Sequence, residues 1–229
     1  TLENDIAAAA ARGVPLRIVG RTPGNIGMTA YRALSRAARF ALIAQIDDDV
    51  VRLSRGIAER ADRLFRRFPA VRQIVADVWQ DEHTTGARPP LDQYRAFDAG
   101  EGLMSGPIDG WFSVYHRSTL PLLMALPYQA YFPLGAAARA RLARRGQHGL
   151  LDLGMKVFHV IGPQYAEAFG MLDAEIEKYR RLGRADIVDW YAAWRRLPER
   201  IGPDADRIAN ISAAIDALDG RCRSGMPRG

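Results

Sequence analysis

Cysteine is nearly absent: the 229 residues contain one, Cys222. No internal disulfide can form, and a zinc centre needing several thiolates is excluded, which points to a reducing compartment and a cytoplasmic location. Lysine is almost as scarce, since 30 of the 32 basic residues are arginine and the exceptions are Lys156 and Lys178. No stretch reaches the ~18 apolar residues of a membrane-spanning helix. Neither a Gly-Lys-Ser/Thr nor a Gly-x-Gly-x-x-Gly phosphate loop occurs, and there is no Gly-x-Ser-x-Gly elbow. These gaps remove disulfide scaffolds, P-loop enzymes, dinucleotide-fingerprint enzymes and serine hydrolases of the α/β type.

The chain does carry 48% hydrophobic residues and a formal charge of +6. The first supports a sizeable core. The second invites a nucleic-acid partner, yet the arginines run from Arg12 to Arg228 with Asp and Glu interleaved, and their densest pairs sit at helical spacing beside apolar residues. Solvated helix faces fit that distribution better, so no nucleic-acid partner is expected.

Along the chain, a helix over 2–12 gives way to a strand at 14–19. A turn at 22–27 leads to a helix over 28–38 and an apolar run at 40–46. Alternation of helix and strand implies an α/β fold with a mostly parallel sheet flanked by helices. Further strands are expected at 71–78, 110–115 and 155–161, and helices at 54–68, 118–125 and 134–145. The stretch 80–106 reads as a long loop. From 164 the periodicity is helical, in about three segments. The organisation expected is a domain over 1–162, a helical C-terminal extension over 163–219 and a flexible tail over 220–229.

The run at 40–46 ends in Asp47-Asp48-Asp49. Adjacent carboxylates repel, so three at a strand end need a cation or a hydrogen-bonding ligand. Capping of the next helix is the competing explanation, although one Asp suffices for a cap. First and third residues of an extended segment share a side. Asp47 and Asp49 could thus hold Mn²⁺ or Mg²⁺ through oxygen, the ion completing its shell with the phosphates of a substrate.

The run Gly24-Asn25-Ile26-Gly27, then Arg32, then Ile43-Ala44-Gln45-Ile46-Asp47-Asp48-Asp49 resembles the central block of family 2 glycosyltransferases of the GT-A fold. Gly110–Arg117 and Lys156-Val157-Phe158-His159 extend the likeness, which spans roughly 14–162. The resemblance implies a GT-A-like fold, a nucleoside-diphosphate sugar donor, a divalent ion and transfer to a hydroxyl on a small-molecule or lipid-linked acceptor. It would place the metal on Asp49, with Asp47 and His159 contributing, and the nucleotide sugar on Asn25, Arg32, Asp47 and Asp48. A same-fold nucleotidyltransferase and a non-catalytic nucleotide-sugar-binding partner subunit are the alternatives.

Two departures matter. The family's opening strand and its Pro-Thr-Tyr-Asn-like turn have no counterpart, and the chain starts at Thr1, so a preceding segment is expected. The Glu-Asp pair that supplies the general base of inverting members is replaced by Gly135-Ala136-Ala137-Ala138-Arg139. Asp109 is the substitute candidate, ahead of Asp152 and Glu101, and Trp111 beside it could stack on a sugar or belong to the core. Asp81-Glu82-His83 reads as a polar turn. Tyr179, Trp190, Tyr191 and Trp194 are expected to pack the C-terminal helices on the core or on a second copy of the chain in a homodimer. A basic surface there could rest peripherally on an anionic membrane.

Overall fold

The computed structural model describes residues 2–13, 28–47, 49–84, 88–126 and 134–218. The strand expected at 14–19, Asn25 with its turn, Asp48 and the tail from 220 lie outside the described residues.

The elements are α1 (Leu2–Ala11), α2 (Met28–Ala37), β1 (Leu42–Ile46), β2 (Val50–Leu53), α3 (Ile57–Arg67), β3 (Val71–Val78), β4 (Arg95–Asp98), β5 (Leu103–Ser105), β6 (Phe112–His116), α4 (Leu120–Met124), α5 (Leu134–Ala143) and β7 (His148–His159). Four helices follow: α6 (Pro163–Ala168), α7 (Leu172–Arg181), α8 (Ala185–Arg195) and α9 (Ala205–Ala217). Where three C-terminal helices were expected there are four.

Among the described residues seven strands form one mixed sheet in the order β1-β6-β3-β7-β5-β4, with β2 pairing β7. This corrects the expectation of a mostly parallel sheet: only β3 and β7 run parallel, and the other five pairings are antiparallel. The physical reason is that β6 arrives from the long segment after β3 and inserts between β1 and β3 in the reverse sense. That segment also contains the antiparallel pair β4–β5. β1 and β3 therefore point the same way as β7, and their carboxyl ends share one edge of the sheet with the start of β6.

Every residue of β3 except Arg72 is buried, as expected of a central strand covered on both faces. Successive residues of β6 point to opposite faces. Val114 joins the core beneath α3, whose Ala61, Leu64 and Phe65 recur at helical spacing, while Tyr115 packs with α4 and α5 through Leu120, Ala138 and Leu142.

Arg60 of α3 is fully buried. Its guanidinium binds both oxygens of Asp152 on β7, at 2.6 and 2.7 Å, and donates to the carbonyl of Glu101 at 2.6 Å. Arg67 reaches the Glu101 carboxylate at 2.6 Å. Gly154 makes room for this cluster: a Cβ there would lie 2.5 Å from the Arg60 guanidinium carbon. Asp152 and Glu101, considered above as bases, are thus committed to holding α3 and the β4–β5 turn onto β7.

The C-terminal helices are fastened just past the carboxyl end of β3. The Asp81 carboxylate accepts from the Tyr165 hydroxyl of α6 at 2.6 Å, and Glu82 pairs with Arg207 of α9 at 2.7 Å. Phe158 and Val160 of β7 pack with Tyr165, Ile211 and Ile215 beneath them. The polar turn at 81–83 is a clasp.

Candidate metal centre

β1 ends at Ile46, and the chain has three residues to reach β2 at Val50. Asp47 is held by its main chain, its N–H donating to the carbonyl of Trp111 at 3.0 Å, and its own carbonyl accepts from Val50 at 3.2 Å. Asp49 is buried, with its carbonyl accepting from the N–H of Val160 just past β7. These contacts pull the link across to the carboxyl end of β7, where His159 closes the strand.

One ligand atom each from Asp47, Asp49 and His159 lies within 4.8 Å of the others, the one such grouping among the described residues. The His159 Nε2 and Asp49 Oδ1 are 2.7 Å apart. The remaining ring nitrogen, Nδ1, is buried without a hydrogen-bond partner among the described residues. Two carboxylates and an imidazole are suitable donors for Mn²⁺ and acceptable ones for Mg²⁺, so the residues present fit a divalent cation.

The electrostatics of the two aspartates diverge. Burial pushes the Asp47 carboxyl up to about 6, and the negative charges of Asp49 and Asp109 add to this against the opposing pull of His159 and a hydrogen bond from Gln45. Burial also acts on Asp49, but the His159 hydrogen bond and charge, with the Lys178 ammonium, outweigh it and hold Asp49 below the ordinary carboxylate range. Asp109 is raised by burial, partly offset by the Gly110 N–H that it accepts at 2.8 Å.

Asp109 lies against the first turn of α5. A Cβ on Gly135 would come within 2.3 Å of the Asp109 carbonyl carbon, so only glycine permits the approach. The place where the family resemblance expected a base on the helix is thus abutted by the main chain of Asp109, just before β6.

Asp47, Asp49, His159 and Asp109 are brought together at one sheet edge. Trp111 is placed differently from the sugar platform proposed for it. Its indole is 6% exposed in the core and donates to the Ala76 carbonyl at 2.7 Å, so it serves the site through its main chain. Arg32 sits half-buried on α2, its guanidinium donating to the carbonyl of Leu126 after α4.

Three participants escaped sequence reasoning. Gln45 uses one amide nitrogen to bridge Asp47 Oδ1 at 3.1 Å and the Gly110 carbonyl at 2.6 Å, tying the metal side to the Asp109 side. Its signal was a lone polar residue in the apolar run 40–46. Lys178 of α7 brings its ammonium to 4.0 Å from Asp49 Oδ2 and 2.8 Å from Glu175 Oε1. Its signal was rarity: it is one of two lysines in the chain. Glu175, buried on the same helix, gave no signal at all.

No protein-family model matches this chain, and no curated protein matches it either. No helix among the described residues is long and apolar enough to cross a membrane.

Proposed function

We propose that the chain is a metal-dependent glycosyltransferase of GT-A type, moving a sugar from a nucleoside-diphosphate sugar to a hydroxyl acceptor. The observation that carries this is the convergence of Asp47, Asp49 and His159 within 4.8 Å beside the carboxyl of Asp109. The Asp-x-Asp spacing and the α/β architecture agree with it. Open α/β sheets take ligands in the crevice beyond their strand ends, where these residues lie.

Asp47, Asp49 and His159 would hold Mn²⁺ or Mg²⁺, which when bound supplies positive charge to the donor's phosphates. The chain's own groups divide the remaining work. Asp109 takes the proton of the acceptor hydroxyl as that oxygen attacks the anomeric carbon, and its burial, which raises proton affinity, suits a base working near neutral pH. Gln45 fixes the carboxylate of Asp47 relative to Gly110, and hence the metal side relative to the base. Attack from the face opposite the diphosphate would invert the anomeric centre.

Thermal shift with a panel of nucleoside diphosphates and nucleotide sugars, with and without Mn²⁺, tests the reading, because a ligand that binds only the folded state stabilises it. The expected result is metal-dependent stabilisation by one diphosphate class and slow release of nucleoside diphosphate from the matching sugar, both lost in Asp49→Ala. Asp109→Asn should lower turnover by roughly 10²–10⁴-fold and leave donor binding intact. Donor binding without turnover would favour a nucleotide-sugar-binding subunit, and release of pyrophosphate from a nucleoside triphosphate a nucleotidyltransferase.

A further inference from the structure

We propose that Lys178 is the cation that meets the donor's diphosphate in the loaded site, an assignment that rests on the glycosyltransferase reading above. The sheet edge gathers the carboxylates of Asp47, Asp49 and Asp109, and α7 adds the buried Glu175. A divalent ion and a diphosphate diester bring two positive and two negative charges, so together they leave the acidic surroundings uncompensated. Breaking the bond between the anomeric carbon and the diphosphate oxygen sends its electron pair to that oxygen and adds one more negative charge. The acceptor oxygen forms the new bond to the anomeric carbon and its proton goes to Asp109.

A second positive group is therefore needed beside the phosphates, and Lys178 has the required placement. Its ammonium is 4.0 Å from Asp49 Oδ2, too far for a hydrogen bond and close enough for strong attraction. Glu175 holds it at 2.8 Å through one of its three N–H donors. The side chain is 39% exposed, so it is open to solvent while reaching the buried Asp49. Lys156, the other lysine, is paired with the buried Asp77, to which Arg88 also donates. An ammonium is a compact point charge on a flexible stem, suited to following phosphate oxygens as charge develops.

The assignment makes two predictions of opposite sign. Without nucleotide, Lys178 competes with the metal for Asp49, so Lys178→Met should bind Mn²⁺ at least as tightly as the wild type. With saturating Mn²⁺, the same variant should bind the preferred member of a UDP, GDP, ADP and CDP panel roughly 10–100-fold more weakly, and the matching nucleoside with unchanged affinity. Lys178→Arg should stay within about 5-fold of the wild type. Calorimetric titration of Mn²⁺ and then of the diphosphate reads both quantities, and Lys178→Gln serves if the Met variant does not fold.

An unchanged diphosphate affinity in a folded neutral variant overturns this assignment alone. So does a loss that extends equally to the nucleoside. A wild-type protein that binds neither Mn²⁺ nor any of the diphosphates overturns the functional reading and this assignment with it.

Discussion

Two buried polar regions lie on β7 and differ in whether their charges match. Around Asp152, carboxylates meet guanidiniums: Arg60 satisfies both oxygens of Asp152, and Glu101 is shared among Arg60, Arg63 and Arg67. Around His159, three aspartates face one imidazole and an ammonium 4.0 Å away. Matched charges hold a fold together and ask for nothing more. A mismatch, kept at the edge of a rigid sheet, leaves a demand that a ligand can meet, which is why the second region and not the first is the candidate site.

The largest test of that contrast is Arg60→Ala, which strands Asp152 as an uncompensated buried charge and should cost about 3–5 kcal/mol in urea denaturation. Arg60→Met combined with Asp152→Leu should recover most of it. A single-variant cost below about 1 kcal/mol would show that the matched cluster contributes little.

At the mismatched end the effect should fall on ligand affinity. Asp49→Ala should weaken Mn²⁺ binding by at least about 100-fold, since it loses a direct ligand where changes in outer contacts alone cost 10–100-fold. The metal-free protein should keep its melting temperature within a few degrees. Equal Mn²⁺ affinity in variant and wild type would remove Asp49 from the centre.

Asp47 gives a pH signature. With its carboxyl raised from 3.8 to about 6 in the folded state, the folded protein holds a proton that the unfolded chain has released, so stability falls as pH rises from about 4 to about 6. Asp47→Asn should therefore stabilise the metal-free protein at pH 7, by at most about 2–3 kcal/mol at 1.36 kcal/mol per unit. It should have no such effect near pH 4. Mn²⁺ binding by the wild type should weaken about 10-fold per unit below pH 6, as the proton competes with the metal. A flat affinity between pH 5 and 7 would contradict the shift.

The smallest expected effect is that of Gln45→Leu, which removes the bridge between Asp47 and Gly110. Mn²⁺ affinity should drop by roughly 10-fold, the lower end for an outer contact, with melting temperature nearly unchanged. A large fall in stability with no change in affinity would make Gln45 a packing residue.

Much of this was legible in the sequence where local pattern decides the outcome. β3 was read at its true bounds because the β-branched Val71, Ile74, Val75 and Val78 cluster after Pro69. The pairing of Asp47 with Asp49 followed from carboxylates at a strand end, whereas His159 joined them through the family resemblance. The first half of β7 was missed because Gly149, Asp152 and Gly154 dilute the strand signal, and in the structure Asp152 and Gly154 serve Arg60. β4 was missed because its residues are largely exposed and lack alternation. The direction of β6 is set by a long connection that no local pattern encodes. Lys178 lies far along the chain from Asp49, on a helix that packs on α6 and α8 through Leu172 and Ile176.

β7 is twelve residues long and carries Asp152 and His159 seven positions apart, with its register against β3 slipping between them. It works as a ruler whose zero mark is the α3 anchor and whose reading is the location of the imidazole. An alanine at position 154 would press on an arginine that is locked on two sides. The register of β7 against β3 slips beside that glycine, so the strand between the Arg60 anchor and the imidazole of His159 is where such a displacement would be taken up.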